Sequence, residues 1–202
     1  ETQTIQGQAV YTKAWDNLAT EAALHHRTHV DEFQLYREHD DYYVRTDDGF
    51  LVFGVDTAAS WYSAPNNHMS HTTGGRYVAR YASSLGETFV SADVRREFIK
   101  SNVLGVDSLG DEDPESVYQL GDVRLNTDVA VGHRAEVGRF ALSATAAWNL
   151  NSMFGSRFVP GAEFALDMAG DGSSILFASA NRSVRHPSYT DLYYRVGGAQ
   201  GS

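Results

Sequence analysis

The chain has 202 residues, no cysteine, and 26 Asp and Glu against 16 Lys and Arg, for a net charge of −10. The lack of cysteine excludes disulfide frameworks and thiolate metal sites, and the acidic balance argues against a nucleic-acid partner. Aromatics are plentiful at 11 Tyr, 10 Phe and 3 Trp. No apolar run approaches the roughly 18 residues of a membrane helix, and Glu1 to Ile5 carry neither the basic nor the apolar region of a secretory leader.

The dominant period is two, the mark of strands. Ile5 to Lys13 and Thr20 to Arg37 read as two strands joined by a tight turn at Trp15-Asp16-Asn17. A long connection, residues 38–71, follows. It holds a hairpin signal of its own, Asp47-Asp48-Gly49 between Tyr42-Tyr43-Val44 and Phe50-Leu51-Val52-Phe53. Tyr77, Ala79 and Tyr81 then alternate with Arg76 and Arg80, ahead of a turn at Ser84-Leu85-Gly86. From Thr88 to Lys100, Val90, Ala92, Val94 and Phe98 oppose Ser91, Asp93, Arg95 and Glu97. After a longer loop from Asn102 to Ser116, Val117 to Val131 shows the cleanest alternation, with Asp122, Arg124, Asn126 and Asp128 on the polar side. His133 to Glu136 reads as a tight turn into Phe140, Leu142, Ala144, Ala146 and Trp148. Leu150 to Ser156 reads as a longer loop, Phe158 to Met168 as a strand, and Gly170-Asp171-Gly172 as a turn. In Ile175 to Arg185 the register stays open, because Leu176, Ala178 and Ala180 compete with Ile175 and Phe177. The expectation is an all-β fold, an antiparallel meander of about eight strands.

Short turns at one end and mostly longer loops at the other are the asymmetry of outer-membrane β-barrels. The polar side carries too many charges for a small dry interior but suits a hydrated lumen, or equally the solvent face of a soluble sheet. Arg96 falls on the apolar side; eight residues beyond Thr88, it would sit near the far interface, where the cost is roughly 0–1 kcal/mol. Tyr77, Tyr81 and Trp148 lie toward strand ends, as in an aromatic girdle. The first strand starts almost at residue 1, and the chain ends in glycine-rich Gly197 to Ser202 rather than in a closing strand. The eight strands are therefore expected to be a run taken from a larger barrel.

Few constellations suggest chemistry. His25-His26-x-x-His29 puts His25 and His29 on one strand face, with Arg27 between them as a poor neighbour for a cation. The acidic run Asp107 to Glu115 offers calcium-type oxygens but no EF-hand spacing. No nucleophile elbow is present, so neither an enzyme, a resident metal nor a cofactor is expected. Aromatics at the long-loop end are more suggestive. Tyr42, Tyr43, Trp61, Tyr62, Tyr189, Tyr193 and Tyr194 would all be extracellular, and rigid rings suit capture of a sugar, macrocycle or porphyrin.

The last strand and its continuation carry a resemblance. Ala178-Ser179, Asn181, Ser183 and Arg185, followed by Pro187-Ser-Tyr-Thr-Asp-Leu-Tyr-Tyr194 and Gly197-Gly198, resemble a barrel segment of TonB-dependent outer-membrane receptors, the cobalamin-receptor-like branch in particular. Weaker echoes lie at Arg95-Arg96-Glu97 with Ser101 to Gly105, and at His29 to Arg37. The resemblance implies a barrel of about 22 strands, of which residues 1–202 would be a part lacking the plug domain. It implies residence in the outer membrane of a Gram-negative cell, with 38–71 and 186–202 as extracellular loop segments. It also implies import of a scarce bulky nutrient (a corrinoid, iron-siderophore or haem), with the TonB complex, acting through the plug, and the lipid bilayer as partners. The residues themselves leave two alternatives open: a complete small outer-membrane barrel, and a soluble β-sandwich binding module.

Overall fold

In the computed structural model, residues 2–33, 44–47, 51–53, 56–58 and 66–193 are described. Eight strands form one antiparallel sheet in chain order: β1 (Thr2–Ala14), β2 (Leu18–Phe33), β6 (Asn66–Ser83), β7 (Gly86–Ser101), β8 (Leu120–Val137), β9 (Phe140–Asn151), β10 (Gly155–Asp167) and β11 (Ile175–Asn181). The expected hairpin inside the first long connection is present. There β3 (Val44–Arg45), β4 (Leu51–Phe53) and β5 (Asp56–Ala58) make a separate small sheet.

Five boundaries differ from expectation, three of them for a local reason. The connection after β2 is shorter than 38–71, because Asn66 to His71 already pair with Phe33 to Thr28. His133 to Glu136 is not a turn. His133, Ala135 and Val137 continue the apolar alternation opposite Ala144, Leu142 and Phe140, and the chain reverses at Gly138-Arg139, with Gly138 at φ 60. Leu150 to Ser156 is not a long loop either. Asn151 Oδ1 accepts the backbone N–H groups of Met153 (2.8 Å) and Phe154 (3.1 Å), and Gly155 at φ 74 closes the three-residue turn. Val117 also falls outside β8, and β11 stops at Asn181 rather than at Arg185.

Loop length sorts by end only in part. Short connections join β1–β2, β6–β7 and β8–β9, and seven residues join β10–β11; the opposite end carries the connections 34–65 and 102–119 and the segment after β11, but also the three-residue β9–β10 turn.

The strands are staggered in one direction. Val10, four residues before Ala14, faces Ala23, five residues after Leu18. The same rung runs through Arg76 and Asp93, each seven residues from the short-turn end, to Asp128 and Asn149, each nine, and Arg157, ten. The drift is close to one residue per strand. At ~3.3 Å per residue and ~4.8 Å between strands, this corresponds to a tilt of about 35°, the inclination of barrel strands. The sheet nonetheless stays open, with β1 and β11 as its edges.

Paired residues share a face, so the registers assign every side chain. Pairing of β11 with β10 places Leu176, Ala178 and Ala180 beside Leu166, Phe164 and Ala162 on the apolar face, and Ile175 and Phe177 on the other. That settles the open register. The apolar face is uncovered: Val90 is 47 % exposed, Leu125 46 %, Leu142 54 % and Trp148 47 %. Among the described residues only Ala23, Ile99 and Leu104 are buried hydrophobics. A sandwich would hide these apolar faces against each other, whereas here all eight strands lie in a single sheet.

The β9–β10 turn can be tested directly. Gly155→Val forces a branched side chain into the left-handed region and should cost at least about 1–2 kcal/mol. Asn151→Ala orphans two backbone donors and should cost roughly 1–3 kcal/mol. Both should lower the denaturation midpoint; an unchanged midpoint for either variant would contradict this turn.

Candidate functional site on the polar face

Alternation drives charge to one side of the sheet. Of the eleven carboxylates in the eight strands, ten (Glu21, Asp31, Glu87, Asp93, Glu97, Asp122, Asp128, Glu136, Glu163 and Asp167) share the polar face, and Glu32 alone lies on the other. Seven arginines lie with them and several pair: Arg76 with Glu21, Arg134 with Glu136 at 2.8 Å, and Arg95 with Glu97 at 2.7 Å.

The most organised part lies toward the long-loop end of β7, β8 and β9. Beyond β11 the chain does not project away from the sheet. It folds across the polar face as a strap, residues 182–193, ending in the short helix α1 (Tyr189–Tyr193). The local sequence explains the helix. Ser188 Oγ accepts the Asp191 N–H at 3.1 Å while Asp191 Oδ2 accepts the Ser188 N–H at 2.8 Å, a reciprocal capping box behind Pro187. These bonds to Ser188 hold the Asp191 carboxyl below the usual carboxylate range.

Arg124 is the centre of the strap's attachment. Its Nε donates to Glu97 Oε2 at 2.5 Å, its Nη1 to the Pro187 carbonyl at 2.6 Å, and its guanidinium lies 4.7 Å from the centre of the Tyr189 ring. The Tyr189 hydroxyl donates to the Glu97 carbonyl at 3.2 Å. One turn on, the Tyr193 hydroxyl donates to Asp122 Oδ2 at 2.5 Å, and the two tyrosine rings stack 6.4 Å apart. The Arg124 and Glu97 side chains are only 13 % and 16 % exposed, so the pair is largely desolvated and each member relies on the other.

A second anchor precedes the helix. His186 stacks on Phe154 at 5.2 Å, and its Nε2 meets Asn149 Oδ1 at 2.5 Å, while Asn149 Nδ2 donates to Asp128 Oδ1 at 2.6 Å. Since the amide oxygen can only accept, Nε2 is the protonated nitrogen. The strap thus touches β7, β8 and β9 through side chains of both signs. Burial pushes the Tyr189 phenol above its ordinary value. Tyr193 is raised to about 12, first by burial and then by its bond to, and the charge of, Asp122.

Of the aromatics singled out in the sequence, Tyr42, Tyr43, Trp61, Tyr62 and Tyr194 lie outside the described residues. Tyr189 and Tyr193 are brought together, but against the wall rather than in a loop cluster. Segment 186–202, expected as an extracellular loop, lies over the polar face as far as it is described. His25 and His29 share the polar face as expected, His29 bonded to Thr4 at 2.8 Å. In the acidic run, Asp111 pairs with Lys100 and accepts from Ser116 at 2.8 Å, and Asp113 accepts the Glu115 N–H at 2.9 Å. Sequence reasoning missed His186, Asn149 and the capping box, although the S-x-x-D spacing of Ser188 to Asp191 was readable. No protein-family model matches this chain, and no curated protein does.

Two outcomes check this geometry. Arg124→Ala should free the strap, speeding proteolytic cleavage within 182–193 while strand content is kept. Arg124→Lys should restore only part of the protection, because an ammonium cannot serve Glu97, Pro187 and the ring at once. Equal protection in all three proteins would contradict the attachment. In an alkaline titration followed by tyrosinate absorbance, Asp122→Asn removes the charge beside Tyr193 and should lower that phenol's midpoint more than Tyr189's; an unmoved Tyr193 would mean that its hydroxyl does not face Asp122.

Proposed function

We propose that the chain is part of the wall of an outer-membrane β-barrel of the TonB-dependent receptor type, importing a bulky nutrient such as a corrinoid, an iron-siderophore or haem. The observation that carries the membrane part is the outward segregation of the apolar side chains. One face of eight staggered strands is exposed and apolar, while ten of eleven strand carboxylates lie on the other. In water such a face would be an aggregation hazard. Against lipid it is the normal exterior of a barrel, and the charged face becomes a hydrated lumen. The one-residue stagger and the two long connections, 34–65 and 102–119, at one end support the same reading.

The receptor part rests on the resemblance of Ala178 to Tyr194. The strap gives that stretch a physical role, since it is the segment that crosses the lumen-facing wall and fastens to Arg124, Glu97 and Asp122. In this reading, nutrient enters past the strap from the outer loops. A plug domain elsewhere in the barrel rearranges, and the TonB complex supplies the energy. The chain's own contribution is a charged lumen wall and an anchored strap that narrows it.

The membrane part is tested by one substitution placed on either face. Val90 lies four residues from Gly86, about 11 Å above the short-turn level at this tilt and near the middle of a ~25 Å apolar band. Val90→Arg should cost roughly 2–4 kcal/mol and block insertion into lipid vesicles. Ser91→Arg, one position along on the lumen side, should insert as the unmodified chain does. Equal insertion of both, or a monodisperse chain without detergent, would refute the barrel reading. The receptor part predicts that cells lacking the protein lose TonB-dependent uptake of one such nutrient.

A further inference from the structure

On the outward face of β2, β6 and β7 the apolar band stops abruptly toward the long-loop end. Below the boundary the rungs read Ala22–Tyr77–Ala92 and Leu24–Gly75–Val94. Above it they read His26–Thr73–Arg96 and Thr28–His71–Phe98. These side chains form one connected patch. His26 Nδ1 meets Thr73 Oγ1 at 2.7 Å, His26 Nε2 meets Thr28 Oγ1 at 3.2 Å, and Thr28 Oγ1 meets His71 Nδ1 at 3.0 Å. His71 is stacked between His26, at 6.1 Å, and Phe98, at 6.3 Å, and the Arg96 guanidinium lies 5.3 Å from the Phe98 ring centre.

Charge makes the patch unusual for this chain. Arg96 is in no ion pair among the described residues, and Lys100, one rung above the patch, is already held by Asp111. The outward faces of β2, β6 and β7 carry no carboxylate on either patch rung or anywhere below them; Glu32, further up, is the first. A chain of net charge −10 therefore presents an unneutralised cation, two imidazoles and two hydroxyls directly above its apolar band. The height fits as well. His26 is eight residues from Leu18 and Arg96 ten from Gly86, about 22–27 Å above the short-turn level at this tilt, which is the far edge of a ~25 Å hydrocarbon layer.

We infer that the patch His26, Thr28, His71, Thr73, Arg96 and Phe98 is a binding site for the phosphate of a lipid headgroup, whose acyl chains lie down the apolar band at Leu24, Tyr77 and Val94. The inference rests on the barrel reading above and adds an exterior ligand to it. Arg96 supplies a charge-assisted contact to the phosphate, and the Phe98 ring beneath its guanidinium holds it near the wall. The Thr73 hydroxyl, exposed beside it, offers a further polar contact. The linked imidazoles and hydroxyls keep the patch from collapsing onto the acyl chains.

The test places the chain in uncharged detergent micelles and counts retained lipid by native mass spectrometry, offering a phosphatidic acid and a diacylglycerol of equal chain length. The expected result is preferential retention of one phosphatidic acid. Retention should fall roughly tenfold in Arg96→Gln and recover partly in Arg96→Lys. His26→Gln with His71→Gln should also weaken it, because both are outward and away from the strap. Equal retention of the two lipids, or an Arg96→Gln variant that binds like the unmodified chain, overturns the site and leaves the barrel reading intact. Displacement of the lipid by excess inorganic phosphate overturns it in favour of a soluble anion. A chain that never enters the micelles overturns the barrel reading and the site together.

Discussion

One unbroken register runs through all eight strands, and the rest of the structure depends on it. Successive side chains point to opposite faces, so a ladder without slips commits each residue of β1 to β11 to one side. A single bulge in β7 would send Glu97 outward and Arg96 inward. The ion pair with Arg124, the seat of the strap and the exterior patch would be lost together. Parity, rather than any single contact, keeps ten carboxylates and seven arginines on one face and most of the large apolar side chains on the other.

Polar-face energetics follow from that concentration of charge. Glu97 would be costly where it sits if it were not met by Arg95 and Arg124. Arg124 in turn has donors left over, and these reach the Pro187 carbonyl. The strap is therefore held by groups the wall already had to satisfy. Asp122 works in the same way: one oxygen accepts the Val123 N–H at 2.7 Å and the other takes the Tyr193 hydroxyl. A helix as short as α1 has little stability of its own. It persists through its capping box and through two tyrosines that each find an acceptor on the wall.

Much of this was legible in the sequence. Period-two patterning in Thr88 to Lys100 and Phe140 to Trp148 gave strand identity and facing, because Val90 to Arg95 and Leu142 to Ala146 alternate cleanly, although Phe89, Arg96 and Ile99 break the pattern. Failures came where the code is local and chemical. His133, Arg134 and Glu136 look like turn residues, yet one imidazole bonds Thr88 at 2.8 Å and the two charges pair with each other, so the strand runs through them. Asn151 and Gly155 specify a tight turn by side-chain capture of backbone N–H groups, which hydropathy does not register. Tyr189 and Tyr193 were recognised as notable, but their direction depends on Arg124 and Asp122, more than sixty residues earlier. No local pattern encodes that meeting.

The two edges of the sheet are unpaired on their outer sides. β1 pairs with β2 along Thr2 to Ala14, and β11 with β10 along Ile175 to Asn181; each pairs on one side only. In water a free edge solvates its N–H and C=O groups and risks association. In hydrocarbon it has no such recourse, and each unsatisfied group costs several kcal/mol, which is why only helices and closed barrels cross a bilayer. On the proposed barrel reading, a wall whose exterior is Leu24, Val90, Leu125 and Trp148 needs the open edges of β1 and β11 to be paired. The stagger already points that way. A tilt near 35° is that of barrel strands, and on the same reading it lets the rungs continue around a lumen.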